Sequence, residues 1–223
     1  MTNKLFDGKS RIGYAFWNTV NRLVVRFHFQ SIQITGASKI PKDRPFILVA
    51  NHSSRWDGPV VQYLLNRRAN YMVSPNEIKG IQKPAVLSVG AFPANPRLDL
   101  VGYSIGQLQR EEPVVVFPEG NVFYDGKLRR FKGGTAKIVL NAKRIGVDVE
   151  VIPVVIKYSF GRTNQVKIHV GDSIKASSSV DDLTNNFRVC ASEFTESMYT
   201  SVKSMYYSEK LLCQSRESQL VSA

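Results

Sequence analysis

Residues 46–57 read FILVANHSSRWD, an apolar run of five residues that passes directly into a polar segment. A run this short and this apolar is typical of a buried strand and unlike a solvated helix. The pattern recurs about 60 residues later, where the valines of 114–116 precede residues 117–120, FPEG. Because ligands of open α/β sheets bind beside the carboxyl ends of central strands, the two polar segments are expected to form one active site.

Helical and strand patterns alternate along the chain, which predicts a single α/β domain with a mixed, mostly buried β-sheet flanked by helices. All 223 residues fit one such domain. An amphipathic helix is expected at residues 11–30, the core of the domain at 45–175 and a C-terminal helix at 179–212. A frayed polar tail is expected at 214–223.

Local patterns predict the remaining elements. Further strands are expected at residues 31–35, 71–73, 114–117, 151–156 and 165–170, and further helices at about 55–66, 103–112 and 133–140. Pro153 marks an edge strand or a local break. The prolines of residues 74–99 predict an irregular segment, whose length favours a binding role over that of a plain connector.

Two serines each precede an aspartate by three residues, a spacing that resembles a helix capping box. Ser54 with Asp57 predicts a helix that begins near Arg55. Ser179 with Asp182 predicts the start of the C-terminal helix.

The net charge of +12 is unevenly distributed. Residues 122–144 hold seven Lys or Arg residues against one acid, Asp125. Such a patch suits phosphates, whether of nucleic acid, anionic lipid headgroups or a phosphorylated small substrate. The simpler interpretation is a solvated basic face.

The composition also bears on location. No apolar run reaches the ~18 residues of a membrane-spanning helix, and residues 1–16 make a poor secretory signal. The two cysteines, Cys190 and Cys213, fit a reducing compartment and predict neither a disulfide framework nor a metal site. Residues 11–30 carry basic and aromatic side chains, so this helix either lies in a membrane interface or covers the core.

His52 and Asp57 are the first candidates for chemistry. On a straight helix five residues turn through about 500°, so the two side chains meet only if His52 lies in a turn and Asp57 in the first helical turn. Asp57 then accepts from one imidazole nitrogen and leaves the other as a base. The pair resembles part of a serine-protease triad without its nucleophile, so the nucleophile would be a substrate hydroxyl.

Residues 102–106 match the G-x-S-x-G pattern of α/β-hydrolases. That motif requires a buried strand directly before it, and residues 96–101 make a poor strand. The catalytic histidine would have to be His169, which lies in an alternating strand pattern. We therefore do not favour a hydrolase.

The His52–Asp57 segment followed by FPEG resembles the glycerolipid acyltransferase family of lysophosphatidate and glycerol-3-phosphate acyltransferases. Four blocks in family order, which span roughly residues 45–175, carry the resemblance. Besides residues 51–57 and 117–120 they include residues 90–93 with Arg97, residues 125–128 and 131–134, and residues 151–154.

The resemblance implies that His52 deprotonates an acceptor hydroxyl, which attacks the thioester of acyl-CoA or acyl carrier protein, while Asp57 orients His52. It implies no metal and no organic cofactor. Positions that hold the acceptor, often through its phosphate, are occupied by Arg97, Glu119 and Gly120, and nearby Lys127 and Lys132 are further candidates. Glu119 could instead cap a backbone turn, and Arg97 could pair with Asp99.

One departure concerns the acceptor. The family commonly has Thr-Arg-Ser after FPEG, whereas residues 121–123 read Asn-Val-Phe, so the arginine is absent. Either Arg97 with Lys127, Arg129 or Lys132 takes the phosphate, or the acceptor is not a simple phosphomonoester. The basic run favours phosphate.

The resemblance therefore implies an O-acyltransferase that makes phosphatidic acid from lysophosphatidic acid, with glycerol 3-phosphate or another lysolipid as alternative acceptors. The enzyme is expected at the cytoplasmic side of a membrane, bound peripherally, with Phe16 and Trp17 facing lipid. A non-catalytic module for anionic lipid or nucleic acid is the rival, but no exposed strand alternates aromatic and basic residues, as a single-strand binder would. Donor, acyl-chain length and oligomeric state stay open.

Overall fold

The computed structural model describes the backbone of residues 9–221 and side chains as far as residue 208. One seven-stranded sheet runs through this part of the chain in the order β1-β7-β6-β2-β5-β3-β4. Only the β6–β7 pair is antiparallel, so the predicted mixed α/β sheet is confirmed. The strands are β1 (Ser31–Thr35), β2 (Phe46–Ala50), β3 (Asn70–Val73), β4 (Ala91–Pro93), β5 (Val114–Val116), β6 (Glu150–Ser159) and β7 (Gln165–Val170).

Helices cover both faces of the sheet. They are α1 (Arg11–His28), α2 (Asp57–Leu65), α3 (Lys83–Ser88), α4 (Leu100–Leu108), α5 (Gly134–Arg144), α6 (Val180–Asn185) and α7 (Phe187–Val221). One apolar core lies between the sheet and α4 to α7, and a second lies between the sheet and α1 with α2. Alternate side chains of β2 enter the two cores, so all five are fully buried and the strand has no polar residue.

The segment 74–99 is more regular than expected. It contains α3 and β4 besides a short 3₁₀ helix. The prolines misled the prediction because Pro84 lies in the first turn of α3, where a missing N–H costs nothing. Gly90, at φ +96°, makes the turn into β4, and a Cβ there would lie 2.2 Å from the carbonyl oxygen of Ala69.

Pro153 does not mark an edge strand, because β6 has neighbours on both sides. It lies at a local break instead. The β6–β7 ladder begins at Val154, and the isolated bridge between Val151 and Ile174 lies just before it. Pro153 accepts a hydrogen bond from Gly171 through its carbonyl oxygen, and its missing N–H falls in this gap.

Several helix limits differ from the prediction. α4 begins at Leu100 because the carboxylate of Asp99 accepts from the N–H of Gly102 and caps it. The capping box of Ser179 and Asp182 is present, but it opens the short α6, and a break at Asn186 separates α6 from α7. The backbone of α7 continues through Val221, past the predicted end at 212 and into the region expected to fray.

α1 packs against α2 with its polar side. Asn18 Nδ2 donates to Asn66 Oδ1 at 3.2 Å, and Asn21 Nδ2 donates to the carbonyl oxygen of Pro59 at 2.9 Å. Within α1, only Val25 places a large apolar side chain fully in the core. The opposite side of the helix leaves apolar side chains exposed, namely Ile12, Phe16, Leu23, Val24 and Phe27. No helix in residues 9–221 is both long and apolar enough to cross a membrane.

Candidate active site

His52 and Asp57 meet where β2 ends. His52 lies in the turn after the strand, and Asp57 is the first residue of α2. Nδ1 of His52 lies 2.8 Å from Oδ2 of Asp57. The Asp57 carboxylate is fully buried, whereas the imidazole is 21% exposed. This is the arrangement that the five-residue spacing requires.

The Asp57 carboxylate is held by further donors. Oδ2 also accepts from the backbone N–H groups of Ser53 and Ser54, each at 2.8 Å, and Oδ1 accepts from the hydroxyl of Tyr158 at 2.7 Å. Burial, reinforced by the nearby Asp57, raises the pKa of Tyr158, so its hydroxyl keeps the proton that it donates. A neutral imidazole that donates from Nδ1 to this carboxylate has its Nε2 unprotonated.

Ser54 does not cap α2 as predicted. Its hydroxyl oxygen accepts from the N–H of Trp56 at 3.1 Å, and Trp56 occupies the N-cap position without a side-chain cap. The helix therefore begins at Asp57 and not near Arg55. The carboxylate of Asp57 stabilises the turn before the helix, because it accepts hydrogen bonds from two N–H groups of that turn.

The FPEG loop and the residues after it contact His52 in three ways, through an aromatic ring, a carboxylate and a backbone N–H. The Phe117 ring stacks on the imidazole of His52, with centroids 4.3 Å apart. Glu119 is almost fully buried, and its two oxygens accept from the backbone N–H of His52 at 2.7 Å and of Arg129 at 2.9 Å. Burial raises the pKa of Glu119, and the two N–H donors oppose that rise. The N–H of Phe123 donates to the carbonyl oxygen of His52 at 2.9 Å.

A cavity of about 860 Å³ opens at His52. Its reactive end is lined by His52, Phe117, Gly120 and Lys132. The rest of its wall is mainly apolar and comes from α1, α2, β3 and α3, with Trp17, Val20, Tyr71, Val86 and Val89 among its residues. The segment 74–99 thus forms part of the cavity wall. A cavity of this kind accommodates a long apolar ligand with one polar end.

The predicted acceptor residues do not all lie at this cavity. Gly120 and Lys132 line it, and they touch: a Cβ on Gly120, at φ +79°, would lie 2.4 Å from Nζ of Lys132. Arg97 and Lys127 are exposed and lie outside the cavity wall. Arg97 has no ion pair with Asp99 in the described structure.

Much of the basic run is occupied by contacts within the protein. Arg129 pairs with Asp125 at 2.6 Å, and Arg130 pairs with Glu196 at 2.5 Å. Lys143 donates to the carbonyl oxygen of Ala176 at 2.6 Å. By contrast, the Lys132 ammonium has no ion pair with any residue that the structure describes, and it faces the cavity.

Two polar residues of the site were not found from the sequence. Tyr158 contacts Asp57 across 101 positions of the chain, and Thr135 lines the cavity from the first turn of α5. No local pattern marks either one. Tyr158 lies beyond the strand predicted at 151–156, and its contact depends on β6 lying beside β2.

The hydrolase interpretation fails on geometry. Ser104 lies within α4, is fully buried and does not follow a strand. His169 contacts Thr35 at a distant strand pair. Among the described side chains, no cluster of three or more His, Cys, Asp or Glu residues could hold a metal ion.

Comparisons with known proteins identify the family and the fold of the chain. The family model described as Acyltransferase matches residues 31–157. Among solved structures, the chain is similar to the 1-acyl-sn-glycerophosphate (LPA) acyltransferase PlsC from Thermotoga maritima, with 23% identity and a TM-score of 0.57. The match covers 83% of this chain and 79% of that one, and at this identity it shows a shared fold. No curated protein matches the chain.

Proposed function

The chain belongs to the acyltransferase family, and from this premise we propose that it moves a fatty acyl group from a thioester to the free hydroxyl of a lysophospholipid. The observation that carries the proposal is the His52–Asp57 pair at the reactive end of a largely apolar cavity. The pair supplies a base, and the cavity suits an acyl chain.

The reaction needs no protein nucleophile. Nε2 of His52 takes the proton of the acceptor hydroxyl as its oxygen attacks the thioester carbonyl carbon. The tetrahedral intermediate then collapses, the carbon–sulfur bond breaks, and the imidazolium returns the proton to the departing sulfur. The products are an ester and a free thiol. Asp57 stabilises the imidazolium and, through its bond to Nδ1, keeps Nε2 aimed at the substrate.

Lysophosphatidic acid is the acceptor that the site favours. The solved neighbour is named as an acyltransferase for 1-acyl-sn-glycerophosphate, and Lys132 at the reactive end offers a cation for a phosphate. The acceptor named for the solved neighbour carries an acyl chain, so a lysolipid and not glycerol 3-phosphate is the proposed acceptor. The donor in this proposal is acyl-CoA or acyl carrier protein, and the product is phosphatidic acid.

The proposal includes peripheral binding at the cytoplasmic side of a membrane. Ile12 and Phe27 of α1 are 84% and 80% exposed, and Phe16 lies on the same side of the helix. Arg11 and Arg26 flank these side chains and are also exposed. Apolar residues bordered by arginines suit an anionic lipid surface. Trp17, also expected to face lipid, lines the cavity beside Phe16.

A matrix of thioester donors and lysolipid acceptors, assayed with purified protein in detergent, tests the proposal. We expect transfer to lysophosphatidic acid and its loss, by at least about a hundredfold, in His52→Ala, because a general base contributes about 10²–10⁴-fold to the rate. His169→Ala is the matched control, since His169 lies outside the cavity. Full activity in a folded His52→Ala protein would refute the mechanism.

A further inference from the structure

The first turn of α5 opens at the cavity without satisfied donors. Its N-cap residue, Gly133, has no side chain to cap the helix. The N–H groups of Gly134, Thr135 and Ala136 have no acceptor within the described part of the chain. Thr135 and Ala136 are nonetheless almost fully buried. The N–H groups in the first turn of a helix have no partner within the helix, so this turn can donate to an acceptor that enters the cavity.

The side chain of Thr135, in the same turn, also has a polar group without a partner. The hydroxyl oxygen of Thr135 is buried and has no hydrogen-bond partner in the described structure, and the residue lines the cavity. The Lys132 side chain crosses Gly120 to the same wall. Lys132, Gly134 and Thr135 therefore all line this cavity, so an ammonium, the start of a helix and a residue with an unpaired hydroxyl border the same space.

We propose that the first turn of α5, the Thr135 hydroxyl and the Lys132 ammonium bind the phosphate of the acceptor, an inference that rests on the proposed function. The partial positive charge of a helix N-terminus favours anions, and its free N–H groups match phosphate oxygens. These groups replace the arginine that Asn121-Val122-Phe123 lacks after FPEG. The acceptor is thus a phosphomonoester, and its recognition depends on backbone donors.

The position of this site assigns it to the acceptor and not to the phosphates of coenzyme A. The N–H of Gly120 donates to the carbonyl oxygen of Phe117 at 3.0 Å, which closes a turn whose ends lie within about 7 Å. His52 stacks on Phe117 at one end of the turn, and Lys132 crosses Gly120 at the other. On a lysolipid, the phosphate and the reacting hydroxyl share one glycerol. In acyl-CoA, the long pantetheine arm separates the phosphates from the thioester.

The test compares two acceptors that differ only in the phosphate, lysophosphatidic acid and the monoacylglycerol with the same acyl chain. Thr135→Val removes the hydroxyl at nearly constant shape, and Thr135→Ser retains it. We expect Thr135→Val and Lys132→Gln each to raise KM for lysophosphatidic acid about tenfold, since hydrogen bonds to charged groups are the strong ones. Activity on monoacylglycerol and the KM for acyl-CoA should stay unchanged, and Thr135→Ser should resemble the wild type.

Ser104→Ala is the matched control, because Ser104 also has a buried hydroxyl without a partner but lies outside the cavity. An equal loss on both acceptors in Thr135→Val, or a change confined to the KM for acyl-CoA, would overturn the inference.

A binding measurement separates this inference from the proposed function. In the His52→Ala background, Thr135→Val should weaken equilibrium binding of lysophosphatidic acid about tenfold. Unchanged binding would overturn the phosphate site, whatever the activity. Absence of acyl transfer by the wild type to every acceptor would instead overturn the proposed function.

Discussion

The hydroxyl of Tyr158 donates a hydrogen bond, 2.7 Å long, to Oδ1 of Asp57, the carboxylate oxygen that His52 does not contact. Tyr158 lies in β6 and Asp57 at the start of α2, so the bond ties the central sheet to the turn that carries the histidine. The bond therefore fixes the orientation of the carboxylate that contacts the imidazole.

Tyr158→Phe should lower the rate of acyl transfer. The phenyl ring keeps its stacking with Phe160, but Oδ1 of Asp57 loses its donor, so the carboxylate that contacts His52 is held by one hydrogen bond fewer. We expect kcat to fall about tenfold, since a hydrogen bond to a charged group contributes about 1.5–3 kcal/mol. Steady-state kinetics of both proteins measure this loss. An unchanged kcat would show that Tyr158 only packs.

Glu119 should make stability depend on pH. Burial raises the pKa of this carboxyl above its ordinary value of 4.5, so the folded protein holds the proton more tightly than the unfolded chain. The contribution of Glu119 is therefore fully present below about pH 4.5 and declines as the pH rises through the folded pKa. Urea unfolding of the wild type and Glu119→Gln at several pH values measures it. We expect the wild type to lose stability relative to the variant across this window, and a constant difference would contradict the prediction.

The exposed side of α1 should determine membrane binding. A variant with Ile12→Ser, Phe16→Ser and Phe27→Ser should bind anionic liposomes at least about tenfold more weakly, because each apolar side chain contributes up to about 1.5–3 kcal/mol when buried. These side chains are exposed, so the fold should persist. Liposome flotation measures the loss. Ile145→Ser with Val189→Ser, exposed residues just after α5 and on α7, is the control. Equal flotation of all three proteins would exclude this surface.

The apolar wall should limit acyl-chain length. Val89 lines the cavity from just beyond α3, and Val89→Phe fills part of the space. Each displaced methylene forfeits about 0.8 kcal/mol of burial, so kcat/KM for the longest chains should fall about tenfold while shorter chains are less affected. Competition among thioesters of different length measures this preference. Leu87→Phe, two residues earlier in the chain and outside the cavity wall, should change nothing.

The sequence predicted the family and the fold well. The strands at the centre of the sheet could be recognised because burial on both faces removes every polar residue, as in β2 and β5. The ordered blocks predicted the acyltransferase family, which the match over residues 31–157 confirms. Predictions were less accurate where one residue type serves opposite purposes, as Pro84 does by opening α3 in a segment expected to be irregular.

The sequence by itself determined which segments are buried strands and placed His52 and Asp57 at the end of one of them, since these features depend on residues close together in the chain. Only the tertiary structure decided what surrounds them. In the folded protein Tyr158 donates a hydrogen bond to Asp57, and both oxygens of Glu119 accept from backbone N–H groups. Lys132 lies at the cavity, whereas Arg97 lies outside it. The physical reason is distance along the chain. Such contacts depend on the order of the strands and the packing of helices, which local patterns do not encode.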